Sequence, residues 1–111
     1  MPKRCGRVDE VFKALADPTR RQVIERLATG PASTTELAEP FSMAFPSFMQ
    51  HLSVLERAGL VTSTKQGRIR TYRVSPAGLD TAQGWLADQR TLWERRLDQL
   101  DQFLIKQKET S

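Results

Sequence analysis

Residues 46–61 run Pro46-Ser47-Phe48-Met49-Gln50-His51-Leu52-Ser53-Val54-Leu55-Glu56-Arg57-Ala58-Gly59-Leu60-Val61, and their reading decides the architecture. Phe48, Leu52 and Leu55 recur at steps of four and three, which is one face of a helix, and Pro46 suits its first turn. Ala58-Gly59 ends that helix, because glycine takes the left-handed conformation that closes a helix without a steric penalty. The period then changes. Leu60–Thr64 and Ile69–Val74 are rich in β-branched and aromatic residues, with Gln66-Gly67 between them, and this predicts a two-stranded hairpin.

Upstream, a turn around Ser42–Ala44 precedes the helix, and Ser33-Thr34-Thr35-Glu36 has capping-box spacing. Leu37 and Ala38 give the capped segment an apolar face, so a short helix is expected, ending near Pro40. Asp17-Pro18 supplies an N-cap and a first-turn proline for a helix with the stripe Val23, Ile24 and Leu27, closed by Gly30-Pro31. Val8, Val11, Phe12 and Leu15 predict a first helix over 8–16. Downstream, Ser75-Pro76 restarts helix, and no proline interrupts 76–106, although Gly78 and Gly84 weaken it. At 1.5 Å per residue this last helix reaches about 45 Å, more than a small domain needs for its own core.

The order is four helices, a hairpin and a long helix. The fold class is mainly α with a two-stranded β-hairpin wing, a winged helix-turn-helix formed as a single domain over 1–111. In that arrangement the second helix of the tight pair enters the DNA major groove, and the hairpin reaches the flanking backbone or minor groove.

Composition narrows the function classes. The 111 residues are 39% hydrophobic and 27% charged, with no apolar run approaching the roughly 20 residues of a membrane span. The basic start has no apolar segment behind it, so a cytoplasmic location is expected and no membrane partner. One cysteine, Cys5, excludes an intrachain disulfide, and one Cys with one His cannot build a cysteine- or histidine-rich metal cage. The net charge of +4 is unevenly spread: residues 1–40 carry +1, residues 41–76 carry +4 and residues 77–111 carry −1. A basic excess concentrated in the middle third is the electrostatic footprint of a nucleic-acid contact.

Ser47, Gln50 and His51 lie opposite the apolar stripe of the helix, where they are candidates for reading base edges. The plain alternative is polar surface on a core helix. His51 has no nucleophile constellation around it in the sequence, so no enzyme is expected. Lys65, Arg68 and Arg70 cluster at the hairpin tip, with Arg68 and Arg70 alternating about Ile69 and so sharing a strand face. Phosphate or minor-groove contact is the expectation there, against a merely solubilising edge strand. Trp93, Leu97, Leu100 and Leu104 continue the stripe of the last helix over too many turns for one subunit to cover. With Val8 and Phe12 of the first helix they predict a homodimer interface, which makes 76–106 a dimerisation helix. Cover by a mate is the reading of these helices, with an apolar small-molecule effector between them as the alternative. Cys5 amid Lys3, Arg4 and Arg7 reads as a chance terminal residue, with oxidant sensing as the alternative.

Two blocks carry a family resemblance. Ala14-Leu15-Ala16-Asp17-Pro18-Thr19-Arg20-Arg21, followed by Val23-Ile24 and Leu27, resembles the second-helix signature of ArsR/SmtB transcription regulators. His51 to Val61 resembles the end of that family's recognition helix and the entry to its wing, with Gln66-Gly67-Arg68 and Tyr72-Arg73-Val74 similar to the wing itself. The resemblance implies a homodimer on double-stranded DNA at an inverted repeat, usually repressing transcription. Residues 86–98 resemble a metal-free branch. The third-helix stretch Glu36–Phe41 has no thiol and the last helix no histidine, so neither metal nor cofactor is expected. Ala44 stands where the family commonly has a capping serine before the recognition helix, leaving DNA affinity more dependent on the wing. The competing classes are a winged-helix protein-interaction module and an effector-responsive sensor with weak direct DNA binding.

Overall fold

The computed structural model describes the backbone of residues 2–110 and the side chains of residues 8–108. Five helices and three strands follow in the order α1 Pro2–Leu15, α2 Pro18–Leu27, β1 Ala32–Ser33, α3 Thr34–Ala38, α4 Phe45–Arg57, β2 Val61–Gln66, β3 Ile69–Val74 and α5 Pro76–Thr110. The first helix starts six residues earlier than its apolar stripe predicts, because the stripe marks only the turns that pack. The expectation for Cys5 lies outside the residues whose side chains are described.

Helix boundaries follow local chemistry. The Asp17 Oδ1 accepts from the Thr19 N–H at 2.8 Å and from the Arg20 N–H at 3.2 Å, satisfying two of the orphan donors that open α2. Burial raises the Asp17 carboxyl pKa, but these bonds and the adjacent His51 and Arg20 outweigh burial and hold it below its ordinary value. At α3 the capping box closes both ways: the Ser33 Oγ accepts from the Glu36 N–H at 3.2 Å, and the Glu36 Oε1 accepts from the Ser33 N–H at 2.8 Å. The end of α4 is a Schellman motif, with the Leu60 N–H bonded to the Leu55 carbonyl and the Gly59 N–H to that of Glu56, and with φ +77° at Gly59.

The sheet corrects the sequence-based expectation of two strands. Ala32–Ser33 adds a third, antiparallel to β3, in the order β1-β3-β2, with Ala32 opposite Tyr72. Two residues are too short for any period to announce them. They pair because the chain entering α3 runs beside the wing and its backbone groups need partners. A second correction concerns Arg68. It sits in the turn with Gly67 (φ +61°) rather than within β3, so it does not share a strand face with Arg70.

Val11, Ala14, Val23, Leu27, Leu37, Phe48, Leu52, Leu55, Leu60, Val61 and Tyr72 form one buried core, which α5 joins through Ala82. Truncating a fully buried leucine such as Leu52 to alanine costs about 2–5 kcal/mol in cores of this kind. Beyond Trp85, which meets Phe12 of α1, α5 leaves the globule. Its large apolar side chains from Trp85 to Ile105 are each 43–65% exposed. The radius of gyration is 20.5 Å, against about 13 Å for a compact domain of this length, because the 35-residue helix projects.

Candidate nucleic-acid interface

The helix α4 is held by its inner face. Phe48, Leu52 and Leu55 are buried, and Phe48 stacks obliquely on Phe41 with ring centroids 5.4 Å apart. This rotation turns Ser47 and Gln50 to solvent, as their spacing predicts. His51 is placed differently from Ser47 and Gln50. It is half-buried, with its Nδ1 3.1 Å from the Arg20 Nη1 on α2. No side chain caps α4, since its N-cap is Ala44, and the first-turn N–H groups are left without a side-chain acceptor.

The wing is set by the pairing of β2 with β3 from Val61–Val74 to Gln66–Ile69. In that register Lys65 lies directly opposite Arg70. Like charges across an antiparallel pair repel, and a bound anion relieves that repulsion. Lys65 and Arg68 are exposed. Arg70 is half-buried and donates from Nη1 to the Ser63 Oγ at 2.9 Å, while the Ser63 hydroxyl donates to the Glu56 Oε2 at 3.0 Å. The one acidic side chain of the basic middle third is thus joined through Ser63 to Arg70, and Lys65 and Arg68 carry the free positive charge of the tip. Tyr72 is buried beneath the sheet. Burial, and then the nearby Glu56 charge, push its hydroxyl pKa above the ordinary value, so it remains a neutral support.

Between the start of α4 and the wing runs a groove of about 680 Å³. Lys65, Arg68 and Arg70 line it from the wing, Ser33, Thr34, Thr35 and Glu36 from the start of α3, and Phe45 and Met49 from α4. Ser47 and Gln50 are exposed on α4 but do not line this groove, which Phe45 and Met49 face from the same helix. The first turn of α3, Phe45, Met49 and Ile69 escape the sequence reading. Phe45 lies one turn before the buried stripe Phe48, Leu52 and Leu55 and is 55% exposed.

The residues of the expected dimer surface differ in their exposure within the single chain. Val8 is only 6% exposed within its own subunit and has little left to offer a mate. Phe12 is half-buried and meets Trp85 edge-on, with ring centroids 5.7 Å apart and planes at 75°. Trp93, Leu97, Leu100 and Leu104 are 65%, 55%, 51% and 49% exposed. Among the described residues no helix is long and apolar enough to cross a membrane.

A helix-turn-helix domain family matches residues 15–64. A crystal structure of an ArsR family transcriptional regulator superposes with a TM-score of 0.77 at 47% identity, covering 85% of this chain and 94% of that one. This chain belongs to the ArsR family of transcriptional regulators. The HTH-type transcriptional regulator Rv2034 of Mycobacterium tuberculosis is 45% identical over 71 residues, 64% of this chain and 66% of that protein, just under two thirds of its length. The transcriptional repressor SdpR of Bacillus subtilis is 30% identical over 71% of this chain and 88% of its own. The solution structure of a homodimeric winged helix-turn-helix DNA-binding domain from Mycobacterium bovis has a TM-score of 0.61 at 30% identity, covering 82% of each chain. The winged helix of the ArsR member therefore includes both α4 and the β2–β3 wing described above.

Proposed function

We propose that this ArsR-family chain is a homodimeric repressor that occupies an inverted-repeat operator in double-stranded DNA, in the cytoplasm and without catalysing a reaction. The carrying observation is the groove that sets the start of α4, through Phe45 and Met49, beside the wing cations Lys65, Arg68 and Arg70. A recognition helix enters the major groove, and the wing reaches the flanking backbone or minor groove. Ser47 and Gln50 read base edges, Lys65 and Arg68 hold phosphates or a narrow minor groove, and Arg70 supports them from the sheet. His51 acts chiefly by fixing α4 to α2.

The homodimer reading rests on α5. Trp93, Leu97, Leu100 and Leu104 follow steps of four, three and four, the seam of a two-helix coil, and each is about half exposed or more in the single chain. The homodimeric state of the Mycobacterium bovis domain and the repressor activity of the Bacillus subtilis relative support the same reading. Two-fold symmetry in the protein calls for a palindromic site with half-sites about one helical turn apart.

The test is duplex binding across a salt series. Two free wing cations per subunit, each releasing a counterion, give a slope of log affinity on log salt of about −4 for the dimer. A slope near zero, with binding dominated instead by an apolar protein partner, overturns the reading in favour of a protein-interaction module.

A further inference from the structure

Outside α5, the large apolar side chains left exposed among the described residues are Phe45, the first residue of α4, at 55%, and Ile69, the first residue of β3, at 60%. Both line the groove between helix and wing, one from each element, with Met49 beside them. Leaving a phenylalanine in water forgoes about 1.5–3 kcal/mol of burial. The ring is not supporting the fold in return: the aromatic contact behind α4 is made by Phe41 and Phe48, and the core closes without Phe45. Its surroundings specify the occupant. Lys65, Arg68 and Arg70 line the same groove, and the one carboxylate there, Glu36, accepts the Ser33 N–H. A partner that is polyanionic outside and apolar at one point inside fits both features. In the major groove of duplex DNA the apolar group is the C5-methyl of thymine, and phenylalanine is among the side chains that contact it. The residues opening a recognition helix are those that meet base edges.

We propose that Phe45 is a specificity-determining residue that reads a thymine methyl once in each half-site. This inference rests on the reading that α4 enters the major groove, and the experiment separates the two. A duplex is selected by the wild-type chain from a random-sequence library, and each thymine is then replaced in turn by deoxyuridine, which pairs identically and lacks only the methyl. At one position per half-site the wild type loses about fourfold in affinity, the equivalent of one buried methyl group at ~0.8 kcal/mol. Phe45→Ala and Phe45→Gln lose nothing at that position and keep the wild-type salt slope. Phe45→Gln is included because its amide keeps a polar grip on the groove should the alanine variant bind too weakly to measure. Retained methyl sensitivity in Phe45→Gln overturns the proposal, as does a wild-type profile with no methyl-sensitive thymine, which points to a protein partner for this apolar pair. Failure of the wild type to select any duplex instead overturns the DNA-binding reading itself.

Discussion

The Arg20 Nη1 on α2 lies 3.1 Å from the His51 Nδ1 on α4. The same guanidinium donates from Nε to the Ala14 carbonyl at 2.8 Å and from Nη2 to the Lys13 carbonyl at 3.1 Å. One side chain therefore ties the end of α1, the start of α2 and the middle of α4. A guanidinium is a donor only, so Nδ1 is the acceptor in this bond and the ring carries its proton on Nε2. His51 is thereby converted from a free surface group into a strut that sets where α4 sits.

Arg20→Met keeps most of the side-chain bulk and removes all three donors. The loss expected in urea unfolding is about 1–3 kcal/mol, since the part-buried Ala14 carbonyl and His51 Nδ1 lose their partner. His51→Ala should lower affinity for all duplexes alike and leave base preferences in place. Urea melts alongside binding to a panel of unrelated duplexes check both, and an Arg20→Met protein that melts with the wild type would show that the strut carries no stability.

Asp17 makes the start of α2 sensitive to acid. Its folded-state pKa lies below the ordinary 3.8, so the carboxylate contributes stability that is present above that value. The contribution fades as pH falls through the lower folded value and the charge is neutralised. Asp17→Ala should cost about 0.5–2 kcal/mol near neutral pH, with the gap to wild type narrowing below about pH 4. Asp17→Asn keeps the cap without the charge and should show a much weaker pH dependence. Thermal melts of the three proteins from pH 7 to pH 3 measure it; a gap for Asp17→Ala that stays constant over that range contradicts the cap's ionic character.

Much of this architecture is legible in local chemistry. Asp17-Pro18, Ser33 with Glu36, and Ala58-Gly59 each mark a helix end with atoms only a few residues apart, and the structure realises all three. What escapes reading depends on residues far apart in the chain. Arg70 looks like another tip cation until Ser63 and Glu56 fold against it. Gly78 reads as a weak point in a long helix. In the fold it is the place where α5 crosses the end of α4, its N–H bonded to the Gly59 carbonyl at 2.9 Å. A Cβ there would stand 2.9 Å from the backbone of Ala58 and Gly59, so the hydrogen that weakens the helix is what permits the crossing.

The length of α5 yields a test of assembly. Leu97 and Leu100 are 55% and 51% exposed in the single chain, well away from its core, so replacing both with glutamate leaves the subunit's own packing intact. In a helix–helix seam the same change buries uncompensated charge, which costs several kcal/mol per ion. The double variant is expected to sediment as a folded monomer at micromolar concentration with an unchanged helical circular dichroism signal from the globule. A double variant that still sediments as a dimer would place the interface elsewhere.

Base reading and backbone holding separate by element, α4 against the wing. Gln50 is exposed on α4, one turn from its start, where an amide meets adenine with a paired donor and acceptor. Arg68 projects from the turn of the wing, where its planar guanidinium meets phosphate or a narrow minor groove. Gln50→Ala is expected to lose about 1–3 kcal/mol at one or two positions per half-site and to relax the preference there. Arg68→Ala should instead weaken many sequences alike and flatten the salt slope by about one unit for each phosphate no longer neutralised. If Arg68 enters the minor groove, its removal also blunts sensitivity to A·T content without changing any base-by-base code. Arg70→Ala provides an internal comparison: its guanidinium already bonds the Ser63 hydroxyl, so it should change the salt slope less than Arg68→Ala and cost more fold stability. Affinities of all three variants across single-base operator variants, at two salt concentrations, resolve these effects. A Gln50→Ala profile that overlays the wild type would mean that α4 does not read bases through this side chain.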